Sequence, residues 1–271
     1  MSVDVEEYFQ VAAFERQIGR GDWARYPSRV VQNTSRVLDV FAERGIRATF
    51  FVLGWVAERH PELIRRIVHD GHELASHGYD HTRATQLDRE QFREDVTRTK
   101  RILEEIGRVE VRGYRAPSYS IGAGNLWALD VLHEAGYVYS SSIYPIRHDL
   151  YGMPEAPRFA FRPRAGAILE LPVTTVEFAG QKLPAGGGGY FRLLPYGLYR
   201  RALRRVNARD RQPGIFYFHP WEVDPGQPRV AGAPLRSRLR HYTNLHSMEA
   251  RLKRLLGDFT WGRMDEVFDV R

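Results

Sequence analysis

The stretch IRATFFVLGWVAERHPELIRRIVHDGHELAS, residues 46–76, contains the pattern that decides the fold. Its first part, IRATFFVLG (46–54), is rich in β-branched and aromatic residues and has few charges, which is typical of a strand buried on both faces of a parallel sheet. A helix over 61–70 follows, entered at Pro61 and ended by Gly71, and HELAS (72–76) predicts the next strand. This order predicts a parallel strand–helix–strand unit.

The same alternation extends over most of the chain. Helices are predicted over 29–44, 88–106 with Asp88 as N-cap, 125–135, 195–207 and near 244–256. Further strands are predicted at SVDVEEYF (2–9), VEVRGYR (109–115), YVYSS (137–141), AILELPVTTV (167–176) and GIFYFH (214–219). Seven strands that alternate with helices favour a parallel α/β fold, and an incomplete barrel in preference to an open sheet.

Two linkers, 144–167 and 179–194, are rich in proline, glycine and arginine. Within the second, PAGGGGYFRLLPY (184–196) predicts a flexible loop with an aromatic tip that closes over a ligand. No change in composition marks a domain boundary. We therefore expect one domain over 1–271, with residues from about 222 to 271 as an extension that covers it.

Composition excludes several classes of chemistry. The 271 residues include no cysteine, so thiolate nucleophiles and cysteine metal sites are excluded, and a metal would need His, Asp or Glu. There is no apolar run of the roughly 18–20 residues that a membrane span needs, and the acidic start MSVDVEEYFQ is unlike a signal peptide, so we expect a cytoplasmic protein. The net charge of +7 is dispersed, and no nucleic-acid motif accompanies it.

Polar residues gather where the predicted strands end, which is where barrel enzymes place their chemistry. Asp4 and Glu6 share one face of the first strand, whereas Glu7 lies on the other. His77 and His81 follow the third strand, four residues apart, and this spacing would place both on one side of a helical turn.

Arg115 and His219 follow the fourth and the last strand. Each residue also has a simpler explanation. Asp4 and Glu6 can be read as solvated carboxylates, and His77 and His81 as a chance pair among ten histidines. Arg115 can be read as a structural ion-pair arginine and His219 as a core histidine. Their convergence on one rim favours a metal-dependent active site.

Four of these segments carry a resemblance. SVDVEEYF (2–9), SHGYDH (76–81), RGYRAPSYS (112–120) and FYFHPWE (216–222), in this order, resemble the motifs of the NodB-homology polysaccharide deacetylases, carbohydrate esterase family 4. The chain is most similar to the branch associated with bacterial exopolysaccharide and exosortase gene clusters. That similarity rests on SSSIYPIRHDLYGMP (140–154), GGGYFRLLPY (187–196) and HPWEVDPGQPR (219–229). The resemblance implies a distorted (β/α)7 barrel.

The resemblance also implies roles. It makes Asp4 the general base, Arg115 the residue that orients the base, His219 the general acid, and His77 and His81 ligands of one divalent metal ion, expected to be Zn²⁺. Many relatives have two adjacent aspartates in the first motif, whereas Val5 follows Asp4 here. Strand alternation favours Glu6 over Glu7 as the third ligand, and both stay open.

Two further departures concern the mechanism. Ser118 stands where the family often has a tyrosine whose backbone N–H binds the oxyanion, and Ser140 stands where many relatives have the aspartate that holds the acid histidine. The partner of His219 is therefore open.

The implied reaction is removal of N-acetyl groups from an amino-sugar polysaccharide in exopolysaccharide biosynthesis, with Tyr190, Phe191 and Trp221 as candidates for sugar contact. The alternatives are a small-amide or ring-opening amidohydrolase and a non-catalytic glycan-binding protein.

Overall fold

A computed structural model describes residues 1–148, 151–163 and 168–270. Seven strands form a parallel sheet in the order β6-β5-β4-β3-β2-β1-β9, and an antiparallel hairpin, β7-β8, lies beside it. The sheet curls into a half-barrel with helices around it, so the predicted distorted (β/α)7 barrel is confirmed. The strands are Ser2–Val5 (β1), Thr49–Val52 (β2), Glu73–Ser76 (β3), Gly113–Tyr114 (β4), Tyr139–Ser140 (β5), Leu169–Glu170 (β6), Thr175–Phe178 (β7), Gln181–Pro184 (β8) and Tyr217–Phe218 (β9).

The helices cover the outer face of this sheet. Their apolar residues and the outward side chains of β1 and β2 form the main hydrophobic core. Within the described residues, no helix has both the length and the apolar character needed to cross a lipid bilayer. The α-helices are Val30–Ala42 (α1), Gly54–Arg59 (α2), Pro61–His69 (α3), Arg89–Gly107 (α4), Trp127–Glu134 (α5), Gly188–Leu193 (α6), Tyr196–Arg205 (α7), Leu235–Tyr242 (α8), Leu245–Asp258 (α9) and Met264–Val267 (α10).

The predicted elements are confirmed where the apolar pattern is strong. Asp88 caps α4 as predicted, because its carboxylate accepts the backbone N–H of Gln91 at 2.9 Å. The predicted strand 167–176 is wrong as a single element: β6 ends before Pro172, and the chain then enters the hairpin. Its first residue, Ala167, and parts of the linker 144–167 lie outside the described residues.

The predicted flexible loop 184–196 is also wrong. Its first residues run beside β9, where Tyr217 donates its N–H to the carbonyl of Gly186 at 2.7 Å, and the rest forms α6 and the start of α7. This segment supplies backbone partners at the open edge of the half-barrel, so it is part of the framework rather than a connector.

The end of the chain covers the N-terminal ends of the strands. The N–H of Met264 donates to Oγ1 of Thr49 at 2.7 Å, and the N–H of Asp265 donates to Oε2 of Glu73 at 3.2 Å. Thr49 and Glu73 are the first residues of β2 and β3. The opposite, C-terminal ends of the strands therefore remain as the open end of the half-barrel.

Candidate active site

Polar side chains occupy the open end because of where the strands stop. Glu6, His77, Arg115 and His219 are each the first residue after a strand, namely β1, β3, β4 and β9. Parallel strands bring these positions to the same edge of the sheet. Asp4, Glu6, His77 and His219 line a cavity of about 340 Å³, and Arg115 is buried below its surface.

Three of the predicted residues form a compact cluster. Glu6, His77 and His81 each direct one ligand atom to a common point, and these atoms lie within 4.8 Å of one another. Oε2 of Glu6 lies 2.8 Å from Nε2 of His81 and has no other polar partner among the described residues. Burial alone would raise the pKa of Glu6, but the nearby imidazoles of His81 and His219 lower it, so Glu6 is an anion.

His77 is prepared as a metal ligand by a backbone contact. Its Nδ1 lies 2.8 Å from the carbonyl oxygen of Arg115. Because a carbonyl can only accept, Nδ1 carries the hydrogen and Nε2 keeps its lone pair. Burial lowers the pKa of His77 to about 4, so the ring is neutral, as metal binding requires.

The two histidines do not lie on a helical turn, contrary to the prediction from their spacing. Residues 77–83 form a loop after β3 in which Gly78 and His81 have φ values of 74° and 60°. This backbone brings the two imidazole rings to 5.5 Å between centroids. Asp95 holds the loop by accepting the N–H of Tyr79 at 3.1 Å. The pair therefore depends on loop conformation rather than helical periodicity.

The structure separates Glu6 from Glu7 as strand alternation predicts. The carboxylate of Glu7 accepts the backbone N–H of Arg29 at 2.9 Å and the hydroxyl of Ser28, at the start of α1, and it does not line the cavity. One oxygen, one nitrogen from each of two histidines, and burial of all three side chains fit a transition metal such as zinc. Glu6 is thus the member of the adjacent pair that can complete this set.

Asp4 and Arg115 form a buried ion pair beside the cluster. Nη1 of Arg115 donates to Oδ1 of Asp4 at 2.6 Å, and both side chains are almost fully buried. Burial would lower the pKa of Arg115, but Asp4 raises it, and the guanidinium stays charged. The pair fixes the Asp4 carboxylate at the cavity wall.

His219 has a partner that the sequence analysis missed. Nδ1 of His219 donates to Oε1 of Glu222 at 2.9 Å, and Oε2 of Glu222 accepts Nε of Arg192 at 2.7 Å. Burial raises the pKa of Glu222, but Arg192 and His219 lower it to about 2. Glu222 follows His219 by three residues, one turn of a 3-10 helix, and this spacing was the available signal. Nothing in the sequence pointed to Arg192.

The glycines before Arg192 permit this arrangement. A Cβ on Gly188 would lie 2.4 Å from Oε1 of Glu222, and one on Gly187 would lie 2.9 Å from the hydroxyl of Tyr217. Both contacts are shorter than a real Cβ allows. The glycine run therefore lets the backbone approach the carboxylate of Glu222 and the wall of the cavity.

Of the three predicted sugar contacts, Phe191 is wrong, and Trp221 stays a prediction. Phe191 has no exposed surface and packs against Tyr199 and Phe216, since α6 turns it into the core. Trp221 is in the cavity wall but only 6% exposed; its ring stacks on His219 and His241, and its Nε1 donates to Oε1 of Glu6 at 3.2 Å. Trp221 thus orients site residues, and little of its surface is left for a sugar.

Tyr190 and Ser118 do reach the cavity. Both line it, Tyr190 from α6 and Ser118 from the turn after β4. Ser118 and Tyr119 have φ values of 55° and 52°, a conformation that costs non-glycine residues energy and that is frequent in functional sites.

Two family models match successive parts of the chain. Residues 23–140 match the model described as "Polysaccharide deacetylase", and residues 141–269 match one described as "Domain of unknown function (DUF3473)". The cluster histidines and Arg115 lie in the first part, and His219, Glu222 and Arg192 lie in the second. The expectation of a single domain over 1–271 stays a prediction.

Similar proteins agree with the first model. A chitooligosaccharide deacetylase of Sinorhizobium fredii is 40% identical over 100 residues, 36% of this chain and 44% of the relative. A peptidoglycan-N-acetylglucosamine deacetylase of Bacillus cereus is 30% identical over 98 residues, 36% of each chain. The chain thus spans less than half the length of these relatives. The crystal structure of a candidate polysaccharide deacetylase from Mycobacterium smegmatis has the same fold, with a TM-score of 0.64 and 23% identity over 100% of this chain and 88% of the other.

The cluster predicts that zinc binding depends on Glu6 and not on Glu7. Glu6→Gln and His77→Ala should weaken zinc binding by more than the about 10–100-fold that loss of an outer-shell partner costs, because each removes a ligand. Calorimetric titration of chelator-treated protein with zinc measures this, and the unaltered chain should bind one ion.

Glu7→Gln is the matched control, since it changes the adjacent buried carboxylate in the same way. It should lower stability through its contacts with α1 and leave zinc affinity unchanged. Loss of zinc in Glu7→Gln together with retention in Glu6→Gln would reverse the assignment.

Proposed function

We propose that the chain is a metal-dependent hydrolase that removes N-acetyl groups from an amino-sugar polysaccharide, since residues 23–140 match the polysaccharide deacetylase model. The observation that carries this proposal is the joint presence, around one cavity, of a His-His-Glu cluster, an Asp4–Arg115 pair and a His219–Glu222 pair. The similar proteins named as chitooligosaccharide and peptidoglycan-N-acetylglucosamine deacetylases support an N-acetylated glycan as the substrate.

Glu6, His77 and His81 would hold the metal, for which Zn²⁺ is the best fit to the donor set. When bound, such an ion polarises a carbonyl group and makes a water molecule more acidic. The indole of Trp221, which donates to Glu6, and the carbonyl of Arg115, which accepts from His77, would keep these ligands in orientation.

Asp4 is the proposed base. Its carboxylate lies at the cavity wall beside the cluster and is held by Arg115 at 2.6 Å, which leaves its other oxygen for the attacking water. Asp4 would accept a proton from that water as the water adds to the amide carbonyl. The backbone N–H of Ser118 is the proposed donor to the resulting oxyanion, and Tyr190 is the proposed sugar contact.

His219 is the proposed acid. Burial alone would lower the pKa of His219, but Glu6 and Glu222 raise it to about 9, so the ring carries the proton that an acid needs. A cation held by Glu6 would offset the contribution of Glu6, whereas that of Glu222 would remain. With Nδ1 bound to Glu222, Nε2 is left to protonate the departing sugar amine.

One finer assignment completes the proposal. We propose that the polysaccharide is an exopolysaccharide under biosynthesis, on the basis of the sequence motifs given above.

The proposal predicts acetate release from N-acetylated oligosaccharides. Zinc-loaded protein should release acetate from chitooligosaccharides or from related N-acetylated glycans in a panel, and chelation should stop the release. Turnover of small cyclic amides alone would favour an amidohydrolase. Glycan binding without any acetate release would favour a binding protein.

Two substrates with different leaving groups should distinguish the role of the acid from the role of the base. An amide nitrogen must be protonated before it departs, whereas an activated aryl acetate leaves as a stable anion. His219→Ala should therefore lower amide hydrolysis by about 10²–10⁴-fold and spare much of the aryl esterase rate, while Asp4→Asn should lower both. Equal losses for amide and ester in folded, zinc-loaded His219→Ala would remove His219 from the mechanism.

Glu222 should matter for the amide only, because it acts through His219. Changing Glu222 alone would leave the buried guanidinium of Arg192 unpaired, so the test variant is Glu222→Gln with Arg192→Met, which removes both charges. We expect a loss of about tenfold or more in kcat for the amide, below that of losing the acid altogether, and near-normal aryl esterase activity.

Conservative Glu222→Asp should recover part of the amide rate, since it restores the charge. If the double variant loses amide and ester activity in equal proportion while zinc binding and thermal stability are kept, Glu222 does not orient the acid.

A further inference from the structure

An apolar stripe on α8 is exposed beside the mouth of the cavity. Leu235 and Leu239, one helical turn apart, are 69% and 58% exposed. The opposite side of the helix is buried through His241, which stacks on Trp221, whereas the last residue, Tyr242, lies on the leucine side and is buried against Phe14. The helix is therefore anchored by its last two residues and presents Leu235 and Leu239 to solvent.

Arginines flank this stripe. Arg236 and Arg240 lie on one side of the two leucines and Arg238 on the other, and all three are exposed. Residues 225–248 contain four arginines and no aspartate or glutamate, so the segment carries a charge of 4 − 0 = +4. The segment around the stripe is thus locally basic.

The patch reaches the active site. Arg240 and His241 line the cavity, as does Leu193, which is 48% exposed. Arg192 donates to the carbonyl of Arg240 at 3.1 Å and so joins the end of α6 to α8. A partner that binds Leu235 and Leu239 therefore lies against the entrance of the cavity.

We infer that the α8 surface, made of Leu193, Leu235, Leu239, Arg236 and Arg238, docks on an anionic lipid bilayer. Leucines that enter the acyl boundary and arginines that meet lipid phosphates are the features of a helix lying in the interface. An acidic glycan would pair with the arginines but would leave the leucines in water. A second copy of the chain would bring like charges together.

Docking has a consequence for the substrate, which rests on the proposed function. With α8 on the bilayer, the cavity opens beside the membrane surface, and the substrate class it fits is an N-acetylated glycan tethered to a lipid. The same contact would do nothing for a glycan free in solution.

Co-sedimentation with vesicles tests the inference. The protein should bind vesicles of 70% phosphatidylcholine and 30% phosphatidylglycerol, but not pure phosphatidylcholine, and binding should fall as salt rises. Arg236→Gln with Arg238→Gln should weaken binding by about 25-fold, at about fivefold for each arginine. Leu235→Ser with Leu239→Ser should weaken it by about 100-fold or more, at about 1.5 kcal/mol or more for each leucine. Arg240 is left unchanged because it lines the cavity.

Phe178→Ser is the matched control, since Phe178 is also 69% exposed but lies at the turn of the β7–β8 hairpin. It should leave vesicle binding unchanged. An equal loss in Phe178→Ser, or no loss in the leucine variant, overturns the inference. Binding to soluble heparin that the arginine variant loses and the leucine variant keeps, without vesicle binding, assigns the patch to a polyanion instead.

Acetate release from a soluble oligosaccharide separates this inference from the proposed function. The α8 variants should retain that activity, because they leave the cavity intact. Vesicle binding by a protein without deacetylase activity would overturn the proposed function and keep the docking surface.

Discussion

The buried guanidinium of Arg115 organises the interior of the half-barrel. It donates to Asp4 on β1 and to the carbonyl and hydroxyl oxygens of Ser141 after β5, and it lies 4.0 Å above the ring of Phe51 on β2. Met264 contacts it from the end of the chain at 3.8 Å. An unpaired cation at this depth would cost several kcal/mol, so these partners must stay together. One side chain therefore ties non-adjacent strands and the C-terminal segment into a single arrangement.

The same residue couples two parts of the proposed chemistry. Its side chain fixes Asp4, and its carbonyl fixes the tautomer of His77. The distance between base and metal ligand therefore depends on the position of one residue after β4, which the sheet defines through pairing with β3 and β5. Precise placement of reacting groups is worth orders of magnitude in rate, and for Asp4 and His77 it comes from the strands.

The structural features that follow from the periodicity of apolar residues were predicted from the sequence. Residues 46–76 identified the parallel unit, and alternation along β1 separated Glu6 from Glu7 correctly. Where the chain departs from regular elements, prediction failed. The His77–His81 loop was taken for a helical turn because spacing alone cannot reveal positive φ values, and the glycine run was taken for a mobile loop because its constraint comes from Tyr217 and Glu222, distant in sequence. Arg192 was missed because the sequence does not distinguish a buried arginine from the surface arginines.

The proposed acid, His219, has a different counterion from the one that the resemblance implies. The resemblance implies that many relatives have an aspartate after the fifth strand, whereas Ser140 occupies that position here. Glu222 takes over the contact with His219 from a 3-10 turn after β9, and Arg192 on α6 neutralises it. Both residues belong to the part matched by the domain of unknown function, whereas His77 and His81 belong to the deacetylase match. Asp4 and Glu6 precede either match. The two parts therefore share one cavity, in which the second supplies the proposed acid and its support, and neither part contains the complete set of proposed reacting groups.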